Sequence, residues 1–135
     1  MEYKTVPTTC IYCGCGCGIL LEVLDGEVIG ALPQKTHPIS GGALCIKGWT
    51  SWEFVSRPDR IRSPMIRKQG ELVEVSWDEA LDYVAGEFKR IADENGPDAT
   101  ACLASAKCTN EENYLIQKLF RAGIGTNNID HCARL

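Results

Sequence analysis

The sequence predicts a mixed fold of α+β and α/β character. A small β-rich unit over residues 1–57 leads into the opening, incomplete part of an α/β unit with a parallel sheet over residues 58–135. Three observations predict it. Four cysteines, Cys10, Cys13, Cys17 and Cys45, sit in glycine-rich loops separated by short β-forming runs. A capped amphipathic helix starts after Ser76. From there the order helix, strand, helix, strand is the pattern of a parallel sheet with covering helices.

Residues 19–32 alternate as two strands about Asp25-Gly26, a two-residue hairpin turn. Residues 33–44 are rich in Pro, Gly and Ser and return the chain to Cys45 as a loop. The stretch Ser56-Arg-Pro-Asp-Arg60 reads as a boundary. A second hairpin follows, 65–68 and 71–75 about Gln69-Gly70. Ser76 then stands as an N-cap with Glu79 three residues later, a capping box. Trp77, Ala80, Leu81, Val84, Ala85, Phe88, Ile91 and Ala92 fall on one helical face, and Asn95-Gly-Pro97 stops the helix. Residues 98–104 read as a buried strand. Thr109 caps a second helix, with Glu112 at N3, and Leu115, Ile116, Leu119 and Phe120 form its inner face. Gly123 and Gly125 end it, and 126–130 opens another strand. So few elements cannot cover both faces of a parallel sheet, so the second unit is expected to be truncated or completed by other chains.

The cysteine spacing carries the chemistry. Cys10-Ile-Tyr-Cys13-Gly-Cys-Gly-Cys17 is a tight triple, and Cys45 lies 28 positions beyond Cys17. One triple plus one distant thiolate suits a [4Fe–4S] cube, whose irons take four soft anionic ligands while glycines let the backbone wrap it. Structural zinc usually pairs two knuckles, and here the second half offers only Cys45, with His37 eight residues before it. Disulfides fit poorly, because no secretory segment precedes Cys10.

The bulk numbers exclude other classes. Fourteen Lys and Arg against 18 Asp and Glu give a net charge of −4, which argues against general nucleic-acid binding. No apolar run approaches the roughly 20 residues of a membrane span. Eight cysteines in an unsecreted chain point to metal or redox chemistry in a reducing compartment. The triplet Gly14, Gly16, Gly18 is not a dinucleotide fingerprint, since its spacing is wrong and the strand follows it.

The pattern Cys10-x2-Cys13-x3-Cys17-x27-Cys45, followed by Lys47-Gly48, resembles the molybdopterin oxidoreductases. Pro64-Met-Ile-Arg67, Val75-Ser-Trp-Asp-Glu-Ala80, Gly96-Pro-Asp98, Thr109-Asn-Glu-Glu-Asn-Tyr114 and Gly123-Ile-Gly-Thr-Asn-Asn128 through Cys132-Ala-Arg134 narrow the resemblance to formate dehydrogenase catalytic subunits. The resemblance implies a [4Fe–4S] cluster beside molybdenum or tungsten held by a bis(molybdopterin guanine dinucleotide) cofactor. It implies interconversion of formate and CO2. It implies electrons leaving to a partner iron–sulfur subunit, a hydrogenase or an NAD(P)-reducing module. In such enzymes a cysteine or selenocysteine ligating the metal follows the stretch like Asp130-His-Cys-Ala-Arg-Leu135, and this sequence stops just before that position. Termination at a selenocysteine codon is one expectation and a chosen boundary the other. The short N-terminus without a twin-arginine signal favours the cytoplasm.

The resemblance also implies roles. Cys10, Cys13, Cys17 and Cys45 are the cluster ligands. Lys47 lies between cluster and pterin as an electron relay, with a solvated lysine as its alternative. Lys107, Asn110 and Glu111 approach the pterin, or serve only as helix cap and solvated charges. Arg134 holds an anion such as formate, and His131 tunes the pocket or simply packs. Cys15 reads as a small packed hydrophobe, with ligand exchange as its alternative. Cys102, Cys108 and Cys132 read as packed thiols, Trp49 and Trp52 as covers over the cluster, and His37 as exposed. Two other readings stand beside the first: an iron–sulfur electron-transfer module without catalysis, and a nitrate reductase or formylmethanofuran dehydrogenase type enzyme, which the text near Asn110 and Asn127 disfavours.

Overall fold

A hairpin is the frame of the first unit. In the computed structural model, which describes residues 1–132, β1 (Tyr3–Thr9) pairs antiparallel with β2 (Gly18–Leu24), and β2 with β3 (Glu27–Pro33). The sheet order is β1-β2-β3. The turn from β2 to β3 falls on Asp25-Gly26, as the sequence predicts, and both residues take positive φ (48° and 90°). β1 was not expected. It is exposed along its whole length and carries Pro7, and it lies at the sheet edge, where a missing N–H costs no ladder bond. Its Tyr3 hydroxyl donates to Glu22 Oε1 at 2.8 Å. Ile19, Val23, Ala31 and Cys10 form the buried core of this unit. Past the loop that follows β3, a single helical turn, α1 (Ile46–Trp49), starts directly after Cys45.

The second hairpin pairs β4 (Met65–Lys68) with β5 (Glu71–Glu74) about Gln69-Gly70, both at positive φ. α2 (Trp77–Asn95) is capped as predicted, with Ser76 Oγ accepting the Glu79 N–H at 3.1 Å. The box is half a box: the Glu79 carboxylate receives Lys68 Nζ at 2.6 Å instead of turning back to the cap. Trp77, Leu81 and Val84 on the apolar face of α2 are exposed, and no residue of the helix is buried.

The expected buried strand at 98–104 is shorter and later. Pro97–Ala99 is a 3₁₀ turn, because Pro97 fixes φ at a helix-like value, and β6 runs only over Cys102–Ser105. It is not a buried strand, since Leu103 is 86% exposed. α3 (Asn110–Lys118) continues into a π-helical turn (Leu119–Ile124) that closes on Gly125 at φ 91°. β7 is Ile129–Cys132, later than the expected 126–130, and it pairs with β6 through the helical crossover that parallel neighbours need. Among the described residues the fold is thus mixed α/β with three small sheets.

The chain divides into two compact units, the first of which begins with Met1–Arg60. Ala104–Tyr114 and residues 131–132 group with Met1–Arg60, while Ile61–Leu103 and Leu115–Asp130 form the second unit. In the second unit Phe88 and Phe120 meet edge-to-face at 5.8 Å. In the same unit Thr126 is 2% exposed. Its hydroxyl donates to Asp98 Oδ1 at 2.6 Å and accepts the Asn128 N–H at 3.2 Å. Thr126→Val keeps the shape and removes both bonds. We expect a loss of about 1–3 kcal/mol, read as a lower urea midpoint at unchanged slope.

Candidate iron–sulfur site

The strand register builds the site. Thr9 pairs with Gly18, so the segment between them is the loop at the end of the β1–β2 hairpin, and it carries Cys10, Cys13, Cys15 and Cys17. The Cys10 N–H donates to the Cys17 carbonyl at 2.8 Å, closing the loop at its neck. Inside it, Gly16 stands at φ 58° with its N–H toward the Cys13 carbonyl at 3.4 Å, a conformation that favours glycine. Cys10 is buried, Cys13 and Cys17 are half-buried, and Cys15 is exposed.

Cys45 arrives from the other side of the unit, on the loop after β3. Its carbonyl accepts the Trp49 N–H at 3.1 Å as α1 begins. Backbone N–H groups of Gly48 and Lys47, together with the Lys47 ammonium, hold the Cys45 thiol below its ordinary range. Cys17 is pushed the other way, first by desolvation and then by the charges of Cys10, Cys13 and Cys45. Cys10, Cys13 and Cys45 therefore all act on the Cys17 thiol. Cys15 is pushed up chiefly by its hydrogen bond with Cys13.

This donor set fits a cube. Four gathered thiolates repel one another, and the positive charge of bound iron lets all of them ionise together. Among the described residues no three His, Cys, Asp or Glu side chains converge tightly enough to share one metal ion. A four-iron cube does not need that convergence, because each cysteine meets a separate iron.

Two glycines of the loop are held by side chains from elsewhere in the unit. At Gly18 the N–H donates to Ser40 Oγ at 3.3 Å, and Ser40 in turn lies 3.3 Å from His37 Nδ1. A Cβ on Gly18 would stand 2.5 Å from the His37 ring. The expectation of an exposed His37 is therefore corrected: it is half-buried against Gly18. No spacing signal linked the two, but the Pro/Gly/Ser loop that must bring Cys45 back has to pass this glycine. At Gly14 the carbonyl accepts Asn110 Nδ2 at 3.0 Å.

The other sequence-predicted residues lie as follows. Lys47 is half-buried in α1. Asn110 and Glu111 open α3 behind a complete capping box, in which Thr109 N donates to Glu112 Oε2 at 2.7 Å and Glu112 N to Thr109 Oγ1 at 3.2 Å. Lys107 is exposed in the turn before it, its N–H bound to Ser105 Oγ at 3.0 Å. Trp49 is exposed and Trp52 half-buried. Cys102 and Cys108 are half-buried, and His131 and Cys132 are exposed in β7. Arg134 lies outside the described residues.

Known proteins match this arrangement. Residues 3–57 match the Fe4S4 domain of molybdopterin oxidoreductases, and residues 60–135 match the molybdopterin oxidoreductase domain itself. The chain belongs to the molybdopterin oxidoreductases. Within that family it is 50% identical over 135 residues to the F420-dependent formate dehydrogenase 1 subunit alpha of Methanococcus maripaludis. It is 49% identical over 135 residues to the F420-dependent formate dehydrogenase subunit alpha of Methanocaldococcus jannaschii. All of this chain is aligned in both cases, but it spans only 19% of each relative. The acetylene hydratase of Pelobacter acetylenicus superposes with a TM-score of 0.64 over 93% of this chain and 18% of that one, at 24% identity, a likeness of fold alone.

Proposed function

We propose that this molybdopterin oxidoreductase chain is the cluster-binding front part of a formate dehydrogenase catalytic subunit, interconverting formate and CO2 with release or uptake of two electrons and a proton. The observation that carries the reading is its 50% identity, over all 135 residues, to an F420-dependent formate dehydrogenase alpha subunit. Cys10, Cys13, Cys17 and Cys45 hold the [4Fe–4S] cluster. A molybdopterin cofactor, in the bis(guanine dinucleotide) form with molybdenum or tungsten and a selenocysteine or cysteine ligand, supplies the two-electron chemistry when bound. Lys47 sits two residues past the fourth cysteine, where its ammonium would favour added negative charge on a bound cluster and its donors would be available to a bound pterin. Lys107 and Glu111 line the start of α3, the end of a strand–helix unit where ligands bind in α/β folds. Arg134 offers a guanidinium suited to a carboxylate. The partner is an iron–sulfur or redox subunit, and the names of the two relatives make an F420-reducing one the first to try. A hydrogenase or NAD(P)-reducing module follows. We place the protein in the cytoplasm of an anaerobe, consistent with free thiols at Cys10, Cys13, Cys15, Cys17, Cys45, Cys102 and Cys108. No helix among the described residues is long and apolar enough to cross a membrane.

The test is anaerobic purification of the protein that carries this chain, with formate and nitrate assays against a one-electron dye and analysis for iron, molybdenum, tungsten and selenium. Formate-dependent dye reduction is expected. Activity on nitrate alone overturns the reading in favour of a sister enzyme. Lys47→Ala should leave the iron content unchanged and slow formate-driven reduction of the partner by about 10- to 100-fold; equal rates would remove Lys47 from the path. A second reading, for the 135-residue chain alone, is an electron-transfer module without catalysis. Formate oxidation by that purified chain would sink it.

A further inference from the structure

We propose that Asn110 is a positioning residue for the iron–sulfur cluster, latching the cysteine loop to the first turn of α3. The inference rests on the cluster reading above. The residue lies 96 positions from Gly14 in sequence, yet its Nδ2 donates to the Gly14 carbonyl at 3.0 Å. The fit is close on both sides. A Cβ on Gly14 would stand 2.4 Å from Asn110 Oδ1, 3.1 Å from Cγ and 3.3 Å from Nδ2, so only glycine leaves room for the amide. Gly14 separates Cys13 from Cys15, so a bond to its carbonyl fixes the peptide that carries two of the loop's thiols.

The latch is anchored. Asn110 is the first residue of α3, and the Thr109–Glu112 capping box holds that turn. Asn113, one turn further on, donates to the carbonyls of Ser105 and Thr109, both at 3.2 Å, and ties the helix start to the end of β6. The far end of the cysteine loop has its own clamp, from Ser40 onto the Gly18 N–H at 3.3 Å. The loop is therefore gripped at a carbonyl on one side and at an N–H on the other. The Asn110 amide bonds to backbone rather than to a cysteine sulfur. It acts by holding the loop closed around the sulfurs and limiting water beside them. Solvent access and hydrogen bonding at the sulfurs set the reduction potential of such a cluster.

The test compares the full chain, reconstituted anaerobically with iron and sulfide, as wild type, Asn110→Ala, Gly14→Ala and the double variant Gly14→Ala/Asn110→Gly. Three readouts are taken: iron lost to a chelator over time, the reduction potential of the cluster, and thermal stability before reconstitution. Asn110→Ala should lose iron about 10- to 100-fold faster and shift the potential upward, because water admitted to the sulfurs stabilises the added electron. Gly14→Ala should be worse in all three readouts, and the double variant should recover stability by making room for the new methyl group. Unchanged potential and iron loss in Asn110→Ala overturn the proposal. So does a harmless Gly14→Ala, or a double variant no better than Gly14→Ala. A wild-type chain that takes up no cluster overturns the cluster reading itself, while the stability arm still reports on the contact.

Discussion

Cys45→Ser is expected to strip the chain of most of its iron, from about four irons per chain to a small residue, and to lower the melting temperature of the reconstituted protein to that of the metal-free form. Cys45 is the one proposed ligand that does not belong to the β1–β2 loop, and Cys15, the spare thiol of that loop, already shares a hydrogen bond with Cys13. A serine hydroxyl is a hard, weakly acidic donor, poorly matched to iron in a sulfur cluster. The backbone N–H groups of Gly48 and Lys47 that favour the Cys45 thiolate would then point at a neutral oxygen. Anaerobic iron and sulfide analysis checks it. Cys102→Ser, on β6, should keep its full iron content. Four irons retained in Cys45→Ser would remove Cys45 from the ligand set.

Gly18→Ala has the second largest expected effect. The new methyl group would stand 2.5 Å from Cγ and Cδ2 of His37 and 2.7 Å from Gln34 Oε1. The Gln34 side chain can swing aside, but the His37 ring does not give way cheaply. His37 Nδ1 is engaged by Ser40, and the backbone there is held by the Gln34 N–H donating to the Gly18 carbonyl at 3.0 Å. Overpacking of this kind costs about 1–3 kcal/mol, several degrees of melting temperature in a unit this size. Gly86→Ala is the matched contrast. Gly86 lies in α2 with nothing within 4 Å of an added Cβ, and alanine there gains about 0.5–1 kcal/mol of helix stability. Opposite signs for two Gly-to-Ala changes in one thermal unfolding series are the expected result. A neutral Gly18→Ala would show that the loop after β3 is free to move off Gly18.

Signals confined to a few neighbouring residues were readable from sequence. Asp25-Gly26 and Gln69-Gly70 turn where they should, because a two-residue hairpin loop demands positive φ at both places. Ser76 and Thr109 cap the two helices, since an N-cap is a bond between near neighbours. What escaped was long-range or came from weak local preference. β1 owes its existence to pairing with β2, and its own text, broken by Pro7, gave no alternation to read. Thr126 and Asp98 meet across 28 positions, and Asn110 and Gly14 across 96. Nothing in the spacing of either pair announces the contact. The cysteines stood out because ligand chemistry restricts their spacing, whereas a glycine that accommodates an amide leaves no such mark.

Loops ordinarily accept insertions and deletions, and the cysteine loop is closed to them. Its two ends are paired strand residues, Thr9 and Gly18, so an added residue must be absorbed by a bulge or by sliding one strand past the other. β2 cannot slide, because Ile19 and Val23 are buried on one face and a one-residue slip would turn them to the other. β1, exposed throughout, would take up the change, dragging Cys10 from its buried seat. Cys17 is thus the fixed point of the site and Cys10 the movable one. Length variants of this segment should be lost from a lineage even when every cysteine survives.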